Sequence, residues 1–263
     1  MAGFEVVEHP LRTVWMPVGT TTTSAITLYV GQLISNTVAL ASSGASAFIQ
    51  ASTVEPRLPF GVVVGTNNKE PVFDSTYKCE YITSAVTQAT MVARKFAGAE
   101  GMYSKGDSAA MVKVAVIGPC TVLKGRMFNA TYGTALSTST IGTTSSDGLT
   151  LTAAHPFTTI AYNSTFYCRS GLNRGLYRIV RSASASAPTL YLPYPYDPTA
   201  ADVFVGANAA VGNTLLTFDA LGTYINAQAA QTASNRVNVL ELNMETSGSE
   251  YVIFSFSTDQ TAV

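Results

Sequence analysis

Residues 236–256 read RVNVLELNMETSGSEYVIFSF, two apolar runs on either side of a polar turn at Thr246–Ser249. In the first run apolar residues alternate with asparagine, arginine and glutamate, the period of two that a strand with one buried face requires. Leu240 and Leu242 disturb the strict alternation. The second run, 251–256, carries apolar or aromatic side chains on both faces, as expected of a strand buried on two sides. The stretch therefore predicts two core strands of a β protein.

Two further β-rich runs lie in the middle of the chain. MVKVAVI and TVLKGRMF, which together span 111–128, are divided by a Gly-Pro pair at 118–119 that signals a turn. Their β-branched and long apolar residues are typical of strands. We expect 111–128 and 214–257 to form one β-sandwich or barrel.

Residues 81–97, YITSAVTQATMVARKFA, are the one segment with helical periodicity. Apolar residues recur there at three- and four-residue spacing, and Gly98 follows where a helix-ending glycine belongs. The predicted fold class is mainly β: a β-sandwich or barrel with one α-helix and an inserted β-rich lobe. The predicted organisation is an N-terminal arm with edge strands (1–58), a β body with the helix (59–128 plus 214–263) and the lobe (129–213).

The composition restricts the classes of partner. Charged residues are 12% of the 263 residues, hydrophobic residues are 47%, and the net charge is −1. A nearly neutral chain offers no basic surface for nucleic acid, and no apolar run is long enough for a transmembrane helix. The first ten residues lack the features of a signal peptide, so we expect synthesis in a reducing cytoplasm. With so few charges, solubility must come from a hydroxyl-rich surface or from assembly into a larger particle.

The sequence contains few residues for metal or covalent chemistry. Its three cysteines and two histidines are widely separated, which gives neither a disulfide framework nor a zinc pattern. Cys168 and His155 are the nearest thiol–imidazole pair, and Arg169 could lower the thiol pKa. Isolated cysteines are more often buried and inert. We therefore predict no catalytic, metal-binding or cofactor-binding residues and no enzymatic activity.

The stretch FYCRSGLNRGLYRIVRS, at 166–182, is either a ligand site or a simple hairpin. Gly171 and Gly175 suit a tight reversal, which favours the hairpin. Four arginines form a local basic edge: Arg169, Arg174, Arg178 and Arg181. Such an edge either protects a strand from aggregation or contacts an anion or a partner.

Two segments carry large side chains suited to a protein interface. The proline-tyrosine segment 191–196, YLPYPY, cannot be a central strand and is expected to be extended, with its rings presented outward. The arm at 1–24 contains a tryptophan that either contacts a partner or fills the protein's own core. The predicted partner contacts are Phe4, Trp15, Met16, Tyr191, Tyr194, Tyr196, Arg169, Arg174 and Arg178.

Several stretches together resemble the capsid decoration (cement) proteins of tailed bacteriophages. They are AITLYVGQLI, PFGVVVGTNNKEPVFDS, MVKVAVIGPCTVLKGRMFN, YCRSGLNRGLYRIV, YPYDPTAADVFVG and VNVLELNMETSGSEYVIFSF. The resemblance implies a non-enzymatic virion protein, made in the host cytoplasm, on the outer capsid surface. Its expected partners are the major capsid protein and further copies of itself, as a homotrimer or homodimer. The family has no shared catalytic residues.

Two other functions fit the same sequence. One is a phage tail, baseplate or head-fibre component whose lobe tyrosines stack on host surface glycans. The other is a hydrolase built on a β-scaffold, which would depend on Cys168 and His155.

Overall fold

The computed structural model describes residues 3–18, 26–41, 44–51, 59–68, 70–83, 110–140, 143–152, 163–182, 187–199, 202–229 and 234–257. These residues form β-strands in several antiparallel sheets, which confirms the predicted mainly β class. The strands are β1 (Glu5–Glu8), β2 (Arg12–Pro17), β3 (Thr27–Tyr29), β4 (Leu33–Ala41), β5 (Gly44–Ala51), β6 (Gly61–Thr66), β7 (Tyr81–Thr83), β8 (Met111–Val116), β9 (Val122–Phe128), β10 (Thr138–Thr140), β11 (Thr143–Thr144), β12 (Leu151–Thr152), β13 (Thr165–Cys168), β14 (Tyr177–Ser182), β15 (Thr189–Leu190), β16 (Val203–Ala207), β17 (Gly212–Thr217), β18 (Ile225–Asn226), β19 (Ser234–Asn243) and β20 (Tyr251–Phe256).

The expected helix at 81–97 is not observed in the described residues. Residues 81–83, where it was to begin, form β7, which pairs antiparallel with β3. The prediction is wrong for these three residues, and 84–97 lie outside the described residues. Tyr81 and Thr83 lie opposite Tyr29 and Thr27, so cross-strand pairing replaces the helical periodicity there. In the described part of the chain, no helix is long and apolar enough to cross a membrane.

The chain folds into two compact units. The first comprises Met1–Leu123, Ala220–Thr223 and Phe256–Val263. Its main sheet has the order β2-β8-β6-β4-β5, and its core also receives side chains from the β3–β7 pair. The buried core side chains are Met16, Val18, Leu28, Ile34, Val63, Ile82, Val112 and Val114. In β8, Val112 and Val114 alternate into this core, where they join Met16 of β2 and Val63 of β6.

The second unit comprises Lys124–Asp219 and Tyr224–Ser255. One of its sheets has the neighbours β9-β20-β19-β17, a second has the order β10-β16-β13-β14-β15, and β11 and β12 form a two-stranded sheet. The expected strand pair at 236–256 is confirmed, since β19 and β20 are neighbours. The disturbed alternation is a change of phase: Leu240 is 49% exposed and Leu242 is 7% exposed. An extra residue between two inward-facing positions explains it, as in a β-bulge.

The two strands within 111–128 belong to different sheets. Strand β8 pairs with β2 and β6, whereas β9 neighbours β20 and pairs with β18. The expected sandwich or barrel built from 111–128 and 214–257 stays a prediction. The Gly-Pro turn at 118–119 is the point at which the chain passes from one sheet to the other. The expected division into arm, body and lobe stays a prediction.

Candidate functional site

The arginine-rich stretch is a hairpin, as predicted. Strands β13 and β14 pair antiparallel with Phe166 opposite Arg178 and Tyr167 opposite Tyr177. Gly171 and Gly175 in the turn have φ angles of 79° and 88°, which suit glycine far better than other residues. The inward face joins a core cluster that includes Phe166, Cys168, Val180 and Phe204. The tip of this hairpin can therefore hold other segments of the chain in position.

A buried carboxylate, Asp202, organises the tip. Its Oδ2 accepts hydrogen bonds from the backbone N (2.7 Å) and the hydroxyl (3.1 Å) of Thr199. Its Oδ1 accepts a long bond from the backbone N of Asn173 (3.4 Å). Because Asp202 is 0% exposed, these donors compensate for the loss of water around its carboxylate. They also join the end of the proline-tyrosine region to the hairpin tip.

Asn173 ties the hairpin tip to Tyr196 by two hydrogen bonds. The Asn173 Nδ2 donates to the carbonyl O of Tyr196 (3.0 Å), and the Tyr196 backbone N donates to Asn173 Oδ1 (3.2 Å). Asn173 is 0% exposed, so water does not compete for either bond. The carboxamide therefore satisfies both peptide groups of Tyr196, as a neighbouring strand would.

The proline-tyrosine segment runs alongside β14. Strand β15 pairs with β14 through Val180 and Leu190. Beyond it, the Tyr191 backbone N donates to the Ile179 carbonyl O (3.0 Å), and Arg178 Nε donates to the Pro193 carbonyl O (2.8 Å). The segment leaves strand pairing after Leu190, as its prolines predicted, and side chains then take over the hydrogen bonding.

Tyr194 anchors this segment to the core of the second unit. It is 6% exposed, its ring packs edge-on against Phe204 at a centroid distance of 5.2 Å, and the Arg178 guanidinium lies 5.0 Å above it. Burial raises the pKa of the Tyr194 phenol above its ordinary value. Tyr194 was predicted as a partner contact, but its burial makes it a support for the exposed residues around it.

Five exposed side chains lie on the hairpin and the segment it holds. We call them the tyrosine-leucine surface: Leu172 (69% exposed), Ile179 (38%), Tyr191 (46%), Leu192 (65%) and Tyr196 (55%). Arg174 and Arg181 on the same hairpin are also exposed. Sequence reasoning named both tyrosines and the arginines but missed the two leucines. Leucines within glycine- and proline-rich loops were the signal that could have found them, because such loops seldom bury their side chains.

Arg169 does not belong to this exposed surface. Its side chain is 11% exposed and pairs with Glu250 Oε1 at 2.5 Å, while its Nε donates to the Met244 carbonyl O (2.8 Å). The Glu250 side chain is 0% exposed. The predicted partner contact at Arg169 is therefore corrected to a buried ion pair within the second unit.

The three predicted contacts of the arm lie in the first unit and are not alike. Phe4 is 4% exposed and Met16 is 8% exposed, so both are buried. Trp15 is 39% exposed and lies opposite Lys113 of β8. Of the three, only Trp15 has the exposure that a partner contact needs.

The Cys168 thiol is poorly suited to act as a nucleophile. It is 0% exposed and donates to the Ser170 carbonyl O (2.9 Å). Burial raises its pKa to about 12, so the thiol stays protonated near neutral pH. His155 lies outside the described residues. Within the described ranges, no three His, Cys, Asp or Glu side chains are grouped as metal ligands would be.

The tyrosine-leucine surface offers apolar area, aromatic rings and guanidinium donors on a rigid support. These groups suit the binding of another molecule. Similarity does not identify that molecule, since the chain matches no known protein family, no curated protein and no solved structure.

Proposed function

We propose that this chain is a non-enzymatic virion structural protein that binds the outer surface of a major capsid lattice and stabilises the phage head. The tyrosine-leucine surface is the observation that carries the proposal, and the resemblance of the β-segments to capsid decoration proteins supplies the class of partner. On this proposal the surface lies against the lattice, and Trp15 of the first unit is a further candidate contact.

The side chains of the surface favour a protein partner. Leu172 and Leu192 are 69% and 65% exposed, and Tyr191 and Tyr196 are exposed as well. Grouped exposed apolar side chains are uncommon on proteins that act alone and mark interaction sites. Tyrosine is enriched in the centres of protein interfaces, and leucine adds apolar area from which water is released on binding.

The hydrogen bonds beneath the surface favour binding in one fixed geometry. Asn173 fixes the backbone of Tyr196, and Arg178 fixes Pro193. Such preorganisation lowers the entropy lost on binding, so each copy needs less contact area. Decoration of a lattice repeats the same weak contact many times, and the repetition makes attachment of the whole layer stable.

A second candidate function is the binding of host surface glycans by a tail, baseplate or head-fibre component. The exposed rings of Tyr191 and Tyr196 favour it, because sugars stack on aromatic faces. The exposed leucines favour it less, since they offer a sugar neither a ring nor a hydrogen bond. The hydrolase alternative has no comparable support, since the Cys168 thiol is buried and protonated.

The proposal is tested with empty shells assembled from the major capsid protein encoded in the same genome. We expect co-sedimentation that saturates at a fixed stoichiometry, and strong loss of binding in the double variant L172S/L192S. Val211, which is 63% exposed in the same unit, gives the matched control V211S, which should bind normally.

Each other outcome contradicts part of the proposal. A chain that ignores shells but binds a glycan array through Tyr191 and Tyr196 would support the second function instead. Shell binding that survives L172S/L192S would keep the capsid function but remove the tyrosine-leucine surface from it. Thermal unfolding of each variant checks that the fold is intact.

A further inference from the structure

We infer that the partner of the tyrosine-leucine surface presents carboxylates to Arg174 and Arg181, so that the surface recognises an acidic, apolar protein face. This inference rests on the proposed function of the same surface and names the chemistry of its partner. It follows from which arginines of the second unit already have partners and which remain exposed.

Apart from Arg236, which is exposed on β19 in another sheet, the other lysine and arginine side chains among the described residues of the second unit are engaged within the chain. Arg169 pairs with Glu250, and Lys124 Nζ lies 4.1 Å from the centre of the Tyr251 ring. Arg126 donates to the Gly248 carbonyl O and lies over the Phe128 ring at 5.6 Å. These cations contribute to packing, and none has its guanidinium or ammonium on the tyrosine-leucine surface.

Arg174 and Arg181 differ from these cations. Both are exposed, and neither forms an ion pair with any of the described residues. Arg174 is at the hairpin tip, one residue from Asn173, and Arg181 follows Val180 on β14. They therefore lie on the same hairpin as Leu172 and Ile179.

Arg178 lies between Arg174 and Arg181 in the sequence, and hydrogen bonds within the chain already orient its side chain. Its Nε donates to the Pro193 carbonyl O and its Nη1 donates to the Tyr177 carbonyl O, both at 2.8 Å. Its guanidinium also lies above the Tyr194 ring. Arg178 therefore shapes the surface, whereas Arg174 and Arg181 are the two that a partner can reach.

Acidic residues near the surface do not neutralise these two arginines by contact. Asp197 and Glu245 are exposed, yet no ion pair joins either to an arginine among the described residues. Asp202 is 0% exposed and is occupied by donors from Thr199 and Asn173. A guanidinium binds a carboxylate through two parallel hydrogen bonds, a geometry that few other groups match. Carboxylates on the partner are therefore the complement that this surface lacks.

The test uses the full chain, three variants and two probes. The variants are the charge reversal R174E/R181E, the charge-preserving R174K/R181K, and the control R236E. Arg236 is also exposed, but it lies on β19 in another sheet of the unit. The first probe is the assembled shell described above. The second is a random copolymer of glutamate and tyrosine, compared with a copolymer of lysine and tyrosine.

We expect R174E/R181E to weaken shell binding about tenfold and R174K/R181K to weaken it less, because lysine keeps the charge but loses the paired hydrogen bonds. R236E should bind as the wild type does. The glutamate copolymer should bind the wild type and not R174E/R181E, and the lysine copolymer should bind neither. Raising the salt from about 0.05 M to about 0.5 M should weaken the wild type more than R174E/R181E.

The outcomes separate this inference from the proposed function. Shell binding that is unchanged in R174E/R181E would overturn the inference and leave the capsid function in place. Binding of the glutamate copolymer through both arginines, together with no binding to shells, would support an acidic partner and overturn the capsid function. An equal loss in R236E would show a general charge effect and would also overturn the inference.

Discussion

Asn173 and Tyr196 are joined by two hydrogen bonds that use both ends of one carboxamide and both peptide groups of one tyrosine. The two residues are 23 positions apart in the sequence. Since the Asn173 side chain is fully buried, this contact holds in place the backbone that carries the exposed Tyr196 ring. The tyrosine-leucine surface therefore depends on a residue that no partner touches.

The isosteric variant N173D tests this dependence. It replaces the Nδ2 donor with an oxygen that faces the Tyr196 carbonyl, which leaves a buried polar group without a bond and costs about 1–3 kcal/mol. We expect faster hydrogen exchange at the Tyr196 amide and weaker shell binding, with the sheets of the unit still folded. N213D is the control, because Asn213 is exposed on β17. Unchanged exchange at Tyr196 in N173D would contradict the proposed positioning role.

Gly171 gives a second test, of the contact between the hairpin tip and Asp202. A Cβ at this position would overlap the carboxylate of Asp202 and lie 2.7 Å from its Cγ. A Cβ at Gly175 would have no other atom within 4 Å of it. Both glycines have positive φ, so each alanine variant carries the backbone cost of about 1–2 kcal/mol. We expect G171A to lower the free energy of unfolding by clearly more than G175A does in urea titrations. Equal losses would mean that Asp202 moves aside at little cost.

The strands were predictable where local pattern decides them, and the wrong prediction at 81–83 has a physical cause. The pair β19 and β20 follows from alternation and turn residues alone. Residues 81–83 have the apolar spacing of a helix, but pairing with β3 places them in a strand, since tertiary contacts override weak helix propensity. Pairing of β8 and β9 with different sheets depends on strands far away in the sequence, which no local pattern reports.

The candidate site was predictable in part. The tyrosines and arginines are conspicuous residue types, and a glycine-rich turn identifies the hairpin. Local sequence does not show which arginine is buried, because the partner of Arg169 is Glu250, which lies 81 residues away and has no special sequence context. The roles of Asn173 and Asp202 were missed for the same reason, because their side chains act on backbone groups brought close only by folding.

The buried pair of Arg169 and Glu250 makes a third prediction, on stability. Removing one partner leaves an unpaired buried charge, which costs about 3–5 kcal/mol, whereas replacing both by apolar residues costs much less. We expect R169M to lower the free energy of unfolding strongly, and R169M/E250L to recover most of the loss. A double-mutant cycle in urea measures the coupling. If the double variant is as unstable as the sum of the single variants, the two residues do not act as a pair.

The cysteines make a fourth prediction, on reactivity and pH dependence. Cys120 is exposed, whereas Cys79 and Cys168 are buried, with pKa values raised by burial to about 11 and about 12. A thiol reagent at pH 8 should therefore modify one cysteine quickly in the folded chain, and C120S should abolish that fast phase.

Above pH 9, the ordinary thiol pKa, the unfolded chain loses thiol protons that the folded chain retains. Unfolding then releases protons, so stability should fall between pH 9 and about 12. C168A, compared with wild type, should flatten part of that fall in urea titrations at several pH values. Rapid modification of Cys168 in the folded C120S variant would contradict its burial and reopen the hydrolase alternative.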